Sequence, residues 1–360
     1  MKINNLKDKI FHFIEISISL FTLFFIFYFA AGISSSFFER ELSFSNKNRA
    51  IRNQSMIATV VGARNEIFLK SIENKEETKI AFVGDLMLDR GVYQKINQRG
   101  AGDFHFAFEN IKNDLEEYDF LVGNLEGPVS DKGVDKHNLY SFRMDPLVLD
   151  ILKEVSFDAV SVTNNHINDW GMDAMKDTFE RLNGKDIEIL GGGENLEKAS
   201  EAKIIDIEGV KIALLSFGQF GKGQFEATSE KAGIAIISED LLKKSIDLAK
   251  GKADIVVVSF HFGDEYQKIQ NLYQEKYSKM AIDFGADLIV GHHPHVVQPL
   301  EQYRNVYIAY SLGNFVFDQY FSPETMEGGL LEVKIEDKKI SSVEIKKIQM
   351  NSDYQPSLIR

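Results

Sequence analysis

The chain has no cysteine in 360 residues, only six prolines, and a deficit of basic charge: 41 Lys and Arg against 54 Asp and Glu, a formal net charge of −13. The first absence excludes disulfides and a lipid-modified cysteine anchor. It is compatible with an extracytoplasmic bacterial protein without establishing one. Scarce proline, with no internal repeat and no low-complexity tract, fits one compact domain behind a tether. The charge deficit argues against nucleic acid as a partner, because phosphate binding needs a basic face. A polyanionic substrate would have to meet a local positive site, such as a bound metal, rather than the bulk surface.

What is present begins at the N-terminus. Residues 1–15 carry Lys2, Lys7 and Lys9, and residues 16–33, ISISLFTLFFIFYFAAGI, hold no charge. That length approaches the roughly 20 apolar residues that span a bilayer. It exceeds the roughly 7–15 of a cleaved signal peptide's apolar region. The basic flank places residues 1–15 in the cytoplasm and everything beyond about residue 35 outside it. The expectation is a single-pass transmembrane anchor over 16–33, with a signal cleaved near Ala30-Ala31-Gly32 as the alternative. Residues 34–78 turn polar and lose periodicity, which predicts a linker with one short helix. A folded domain is expected over 79–350 and a tail over 351–360.

Within the domain, short apolar runs alternate with amphipathic ones. Strands are predicted at 80–83, 120–123, 159–162, 187–190, 204–207, 211–217, 255–260, 288–290 and 306–310. Helix-period segments fall at about 106–117, 145–154, 173–182, 239–250 and 271–284. Two alternating strands around Glu336-Asp337-Lys338 predict a late hairpin. Strands alternating with helices argue for an α/β fold, and the hairpin for a second sheet beside the first.

Five polar segments each follow a predicted strand: Gly84-Asp85, Asn124-Leu125-Glu126, Asn164-Asn165-His166, His261-Phe262-Gly263-Asp264-Glu265, and His292-His293-Pro294-His295. In α/β sheets ligands bind beyond the carboxyl ends of strands, so these segments would converge on one face. Five of the eight histidines lie in them. Asp, Glu, Asn and imidazole together suit Mn, Zn or Fe rather than a purely soft metal. Each segment also has a plain reading: Asp85 as a helix cap, Asn124 and Glu126 as loop residues bonding backbone, His261 as a core histidine. Five such accidents would have to share one topological position. Of the remaining histidines, His105 is expected to pack among aromatics and His137 to be exposed.

The strings GDLMLDRGV, GNLEGPVS, TNNHINDWG, HFGDEY, GADLIVGHHPHVVQPLE and YSLGNFVFD occur in this order. Over about residues 79–320 they resemble the bacterial capsule-synthesis CapA family. That family is tied to poly-γ-glutamate capsule production and sits in the calcineurin-like metallophosphoesterase superfamily. The resemblance implies a metallophosphatase-like α/β sandwich of two mixed sheets flanked by helices. It implies metal ligation by Asp85, Asn124, Glu126, Asn165, His261, His293 and His295, with His166 as general acid assisted by Asn165 and His292 as an extra neighbour. Two positions depart from the superfamily. Met87 stands where a ligand His is expected, and neutral Asn124 stands where an Asp bridges two metals. Two ions held about 3.5–4 Å apart need a bridging anion, so one divalent ion, or two of unequal affinity, is the expectation. Glu126 could restore the missing charge.

The reading is a membrane-anchored protein, its C-terminal domain outside the cytoplasm, that helps to synthesise, export or anchor a capsule polymer such as poly-γ-glutamate. Its expected partners are the cytoplasmic membrane, the anionic polymer and membrane subunits of a capsule synthase. The rivals are a secreted metal-dependent phosphoesterase and a non-catalytic capsule-assembly subunit.

Overall fold

Residues 255–260, IVVVSF, are apolar at nearly every position rather than every second one, the pattern of a strand covered on both faces. The computed structural model, which describes residues 77–360, shows that covering. The expected span over 16–33, its flank 1–15 and nearly all of the 34–78 linker lie outside the described residues. Among those described, no helix is long and apolar enough to cross a membrane.

In chain order come β1 (Thr78–Leu86), α1 (Arg90–Arg99), a 3-10 helix (Phe104–Phe108), α2 (Lys112–Leu115), β2 (Phe120–Leu125), α3 (Leu147–Glu154) and β3 (Ala159–Ser161). Next are α4 (Gly171–Asn183), β4 (Glu188–Leu190), β5 (Gly192–Gly193), α5 (Leu196–Ala199), β6 (Lys203–Ile207), β7 (Val210–Gly218), β8 (Gly233–Ile234) and α6 (Glu239–Lys250). Then follow β9 (Ile255–His261), α7 (Leu272–Phe284), β10 (Leu288–His292), β11 (Leu300–Tyr303) and β12 (Val306–Ala309). The chain closes with β13 (Asn314–Val316), β14 (Glu327–Glu336), β15 (Lys339–Met350) and β16 (Pro356–Leu358).

One sheet runs β16-β15-β14-β1-β2-β3-β4, with β13 also paired to β1. The other runs β11-β12-β10-β9-β7-β6. The first is antiparallel from β16 to β1 and parallel from β1 to β4, and the second has a parallel centre with antiparallel margins, so both are mixed. Alternation along the strands assigns the layers. Ile80 and Phe82 meet Ile255, Val257, Leu288 and Val290 between the sheets. Ala81 and Val83 point the other way, into a core shared with α1, α3 and α4. Val256, Val258 and Phe260 pack on α6 and α7. The result is an α/β sandwich of two mixed sheets with helices on both outer faces.

Some elements differ from expectation. The helix predicted over about 106–117 is divided into the 3-10 turn and α2, because the Asp103 side chain accepts from His105 N and starts the turn early. The burial face survives the division through Phe104, Phe108, Ile111 and Leu115. His105 does not pack: its ring is exposed and lies 2.7 Å from both Asp103 and Glu154 carboxylates. Residues 351–360 are not a loose tail, since β16 pairs antiparallel with β15 and Tyr354 joins the core. Helix α1 has no counterpart in the expected set. It buries only Val92 and Ile96, too sparse a stripe to stand out. Asp89 holds its start, accepting from Arg90 N at 2.7 Å and, across a loop, from Arg143 N at 2.8 Å. Asp89→Ala should therefore cost about 1–2 kcal/mol, measured as a lower urea midpoint with an unchanged slope; no change would mean that water replaces the cap.

Candidate metal centre

Register brings the site together. Asp85, near the end of β1, stands beside Asn124 of β2 and Asn314 of β13. His261, the last residue of β9, stands beside His292, the last of β10. Residues 310–314 stitch the two sheets here: Leu312 N donates to Gly291 O at 3.2 Å, and Asp85 N to Gly313 O at 2.9 Å. This crossing demands glycine at two places. A Cβ on Gly84 would lie 2.0 Å from Gly313 O, and one on Gly291 would lie 2.0 Å from Tyr310 O. Each glycine immediately precedes a site residue, so close backbone approach places Asp85 and His292.

Asp85, Asn124, Glu126 and His261 are all fully buried. Asn124 Nδ2 donates to Asp85 Oδ1 at 2.7 Å and also to Glu126 Oε2. The other two carboxylate oxygens, Asp85 Oδ2 and Glu126 Oε1, are buried without a hydrogen bond. Asp85 Oδ2 lies 2.9 Å from His295 Nδ1, an ion-pair contact with an imidazole that also meets Asn314 Oδ1 at 3.0 Å. Glu126 Oε1 is 3.6 Å from His261 Nε2. His261 Nε2 is in turn 2.8 Å from Asn165 Oδ1 and 3.1 Å from His293 Nδ1. Asp85, Glu126 and His261 offer ligand atoms all within 4.8 Å of one another, and Glu265, His293 and His295 form a second such trio. Buried charge without a partner costs several kcal/mol or more. A divalent cation would satisfy both orphaned oxygens at once, and the carboxylate–imidazole donor set fits Mn, Zn or Fe.

The electrostatics agree with that fit. Burial would raise the Asp85 carboxyl, but the imidazoles of His292 and His295, 3.6 and 2.9 Å from its oxygens, outweigh it and hold the group well below the usual carboxylate range. Burial, then the Asp85 charge, pushes Glu126 well up. Burial lowers His261, with His293 adding to the effect. Burial likewise brings His293 down to about 3. Both imidazoles are therefore neutral, the form that ligates metal. His293 and His295 have φ of +99° and +59°, backbone that side chains other than glycine seldom adopt and that costs roughly 1–3 kcal/mol each. Tyr266 N donates to Pro294 O at 2.8 Å, tying the loop after β9 to the strained one after β10.

His166 sits beside this cluster with its Nδ1 2.7 Å from Asp169 Oδ2. Asp169 is itself held by Phe142 N at 3.0 Å and Asn138 Nδ2 at 2.8 Å. The Phe142 ring lies 4.1 Å from the imidazole, centroid to centroid. An ionised carboxylate only accepts, so the Nδ1 hydrogen is fixed and Nε2 is left to exchange a proton.

Of the expected ligands, Asp85, Glu126, Asn165, His261, His293 and His295 come together. Asn124, also among the expected ligands, turns its amide nitrogen to the carboxylates, and its oxygen lies 3.4 Å from Asn164 Nδ2. Turning the amide over would set an oxygen against two carboxylates. As placed here, the Asn124 amide stands between the two carboxylates. Met87 is buried with Phe142 and Phe317 and its sulfur accepts from Asp89 N, a packing role. Asp169 and Glu265 are absent from the expected site. Both fall three or four residues after a histidine, a spacing common in plain turns.

The chain matches the family described as bacterial capsule synthesis protein PGA_cap over residues 79–319. It is 34% identical over 287 residues to the capsule biosynthesis protein CapA of Bacillus anthracis, covering 77% of this chain and 68% of that one. It is 33% identical over 276 residues to the PGA biosynthesis protein CapA of Bacillus subtilis, covering 75% and 71%. A solved phosphatase from Mycoplasma pneumoniae is 16% identical, with a TM-score of 0.45 over 76% of this chain and 94% of that one. Since the match takes in every strand-end segment of this cluster, from Asp85 to Asn314, the chain belongs to the bacterial capsule synthesis protein family.

Proposed function

We propose that this protein works in the synthesis, export or anchoring of a poly-γ-glutamate capsule polymer outside the cytoplasmic membrane, through a divalent-metal centre. The observation that carries the reading is the pair of orphaned carboxylate oxygens, Asp85 Oδ2 and Glu126 Oε1, buried beside neutral imidazoles in a capsule-family chain. Asp85, Glu126, Asn165, His261, His293 and His295 would hold the metal. A divalent ion there supplies charge for a carboxylate and Lewis-acid polarisation of a carbonyl or phosphoryl oxygen. With a chain this acidic, such a centre is also what lets a polyanion approach.

The protein's own groups divide the remaining work. Asn124 separates and orients the two carboxylates. His166 moves a proton at Nε2, with Asp169 and Phe142 fixing its ring. That dyad also favours a second reading, a phosphoesterase in which His166 protonates a leaving oxygen. The deciding experiment is metal analysis of the full-length protein, purified in detergent without chelator, together with polymer output of cells that depend on it. The wild type should carry stoichiometric metal. Asp85→Ala should lose it and the cells should lose polymer. Normal polymer from cells whose Asp85→Ala protein holds no metal would sink the metal-centred reading and leave an assembly role.

A further inference from the structure

Helix α1 begins at Arg90, yet the φ of that residue is +49°. A long side chain seldom adopts such backbone, and it persists where the surroundings over-determine it. The surroundings here are specific. Arg90 Nε donates to Asp318 Oδ2 at 3.1 Å, Nη2 donates to Oδ1, and Gly91 N donates to Oδ2 at 2.9 Å. A Cβ on Gly91 would lie 2.9 Å from the Asp318 side chain, so glycine lets this carboxylate close on the turn. One edge of the guanidinium is fixed in this way. The other, Nη1, has no hydrogen bond among the described residues.

The held guanidinium lies over Phe142, its Cζ 4.8 Å from the ring centroid, and 5.8 Å from that of the exposed Tyr140. Phe142 is the ring that contacts His166. Arg90 also reaches toward the histidine loop after β10. Burial pushes the Tyr266 hydroxyl up, and Arg90 is a charge near enough to oppose it. The Tyr266 ring is 6.0 Å from that of His295. The Arg90 side chain is 32% exposed against 9% for Asp318, so the carboxylate is the buried partner and the free edge of the guanidinium is accessible.

From this geometry we infer that Arg90 is an anion-binding residue of the site: its free edge takes an oxyanion, carboxylate or phosphate, of the ligand that meets the metal centre. The planar fork of a guanidinium matches either group. Asp318 holds that fork in one plane, so little side-chain freedom is lost when the second edge is used. A plain staple between α1 and Asp318 would need neither the strained φ nor a place over Phe142. In a chain of net charge −13, a cation beside the ligand cluster also selects for negative ligands.

This inference rests on the metal centre proposed above, and its test separates the two. Mn(II)-loaded full-length protein in detergent is titrated by calorimetry with three probes: a γ-linked glutamate oligomer, the same oligomer with its carboxylates amidated, and inorganic phosphate. The wild type should bind at least one of the two anions. Arg90→Gln should weaken that binding about 10–100-fold, the range for a hydrogen bond to a charged group. Mn(II) content and binding of the neutral oligomer should not change. Arg90→Lys keeps a charge beside Asp318 without the fork and should fall between, which keeps the test decisive if Arg90→Gln does not fold. Loss confined to the glutamate oligomer assigns a carboxylate to Arg90. Loss confined to phosphate assigns a phosphate and favours the phosphoesterase reading. Unchanged anion affinity in both variants would overturn the inference and leave the metal centre standing. Equal losses for the charged and neutral oligomers would reduce Arg90 to a staple. A wild type that holds Mn(II) but binds neither anion would overturn the inference alone, and one that takes up no Mn(II) would overturn the metal centre and the inference with it.

Discussion

Chelator treatment of the metal-loaded protein is expected to lower its unfolding midpoint by about 8–16 °C. The argument begins with Asp85 and Glu126, two fully buried carboxyl groups that share one amide and leave two oxygens bare. Without a cation, folding must desolvate these groups for little return. Burial and the Asp85 charge then push Glu126 toward its protonated form. A ligand that binds only the folded state stabilises it by about 4 kcal/mol when free ligand is 1,000 times its Kd. In a domain of this size each kcal/mol moves the midpoint by roughly 2–4 °C. Asp85→Ala should melt at one temperature with or without EDTA. A wild-type midpoint indifferent to EDTA, in protein shown to hold metal, would mean that the ion binds somewhere that folding does not build.

In the stripped protein the histidine contribution to pH dependence has a definite sign, and the raised Glu126 carboxyl opposes it. Folded His293 stays neutral down to about pH 3, while an unfolded histidine takes a proton from about pH 6.5 downward. Across that window this histidine makes the unfolded state bind the extra proton, so its contribution to stability falls as pH falls. Folded His261 is lowered as well and adds in the same direction. Restored metal should offset the loss at the upper end of the window, where ligand protonation does not yet compete with binding.

The second large effect concerns His166. Its replacement by alanine should lower metal-dependent turnover by about 10²–10⁴-fold, the range in which a positioned acid or base contributes, with bound metal unchanged. Metal retention is the informative control, because His166 is outside both ligand trios and bonds Asp169 instead. Asp169→Asn should act in the same direction. An amide nitrogen in the place of Oδ2 can donate to Nδ1, exchange the tautomer and lose the hydrogen bond from Phe142 N, while the amide oxygen still accepts from Asn138. The assay pairs poly-γ-glutamate with a generic phosphodiester under Mn(II). Loss on the polymer alone favours capsule chemistry, loss on the phosphodiester favours the phosphoesterase reading, and metal loss in His166→Ala would recast the residue as a ligand.

Much of this architecture is legible in the amino-acid order. All nine predicted strands are present; the central ones, such as Ile255–His261, are covered on both faces and so apolar throughout, and such runs stand out without any knowledge of the fold. The placement of Asp85, Asn165, His261 and His293 after strands is likewise a statement about order, and parallel strands turn it into convergence. Elements that bury little were harder to see. Helix α1 shows only Val92 and Ile96 to the core, and β16 is held by pairing with β15 rather than by an apolar run.

Three features of the site were decided by tertiary structure alone. The Asn124 amide nitrogen meets Asp85 from another strand as well as nearby Glu126, and residue type does not say which end of an amide faces a carboxylate. Asp169 matters because a turn of the chain folds it back onto His166 Nδ1. Glu265 meets His293 and His295 only because one backbone hydrogen bond, Tyr266 N to Pro294 O, joins two loops that follow different strands. Strand identity follows from burial, which the order of apolar residues records. Ligand identity follows from distances of a few ångströms between segments remote in sequence, and only the packed sheets set those.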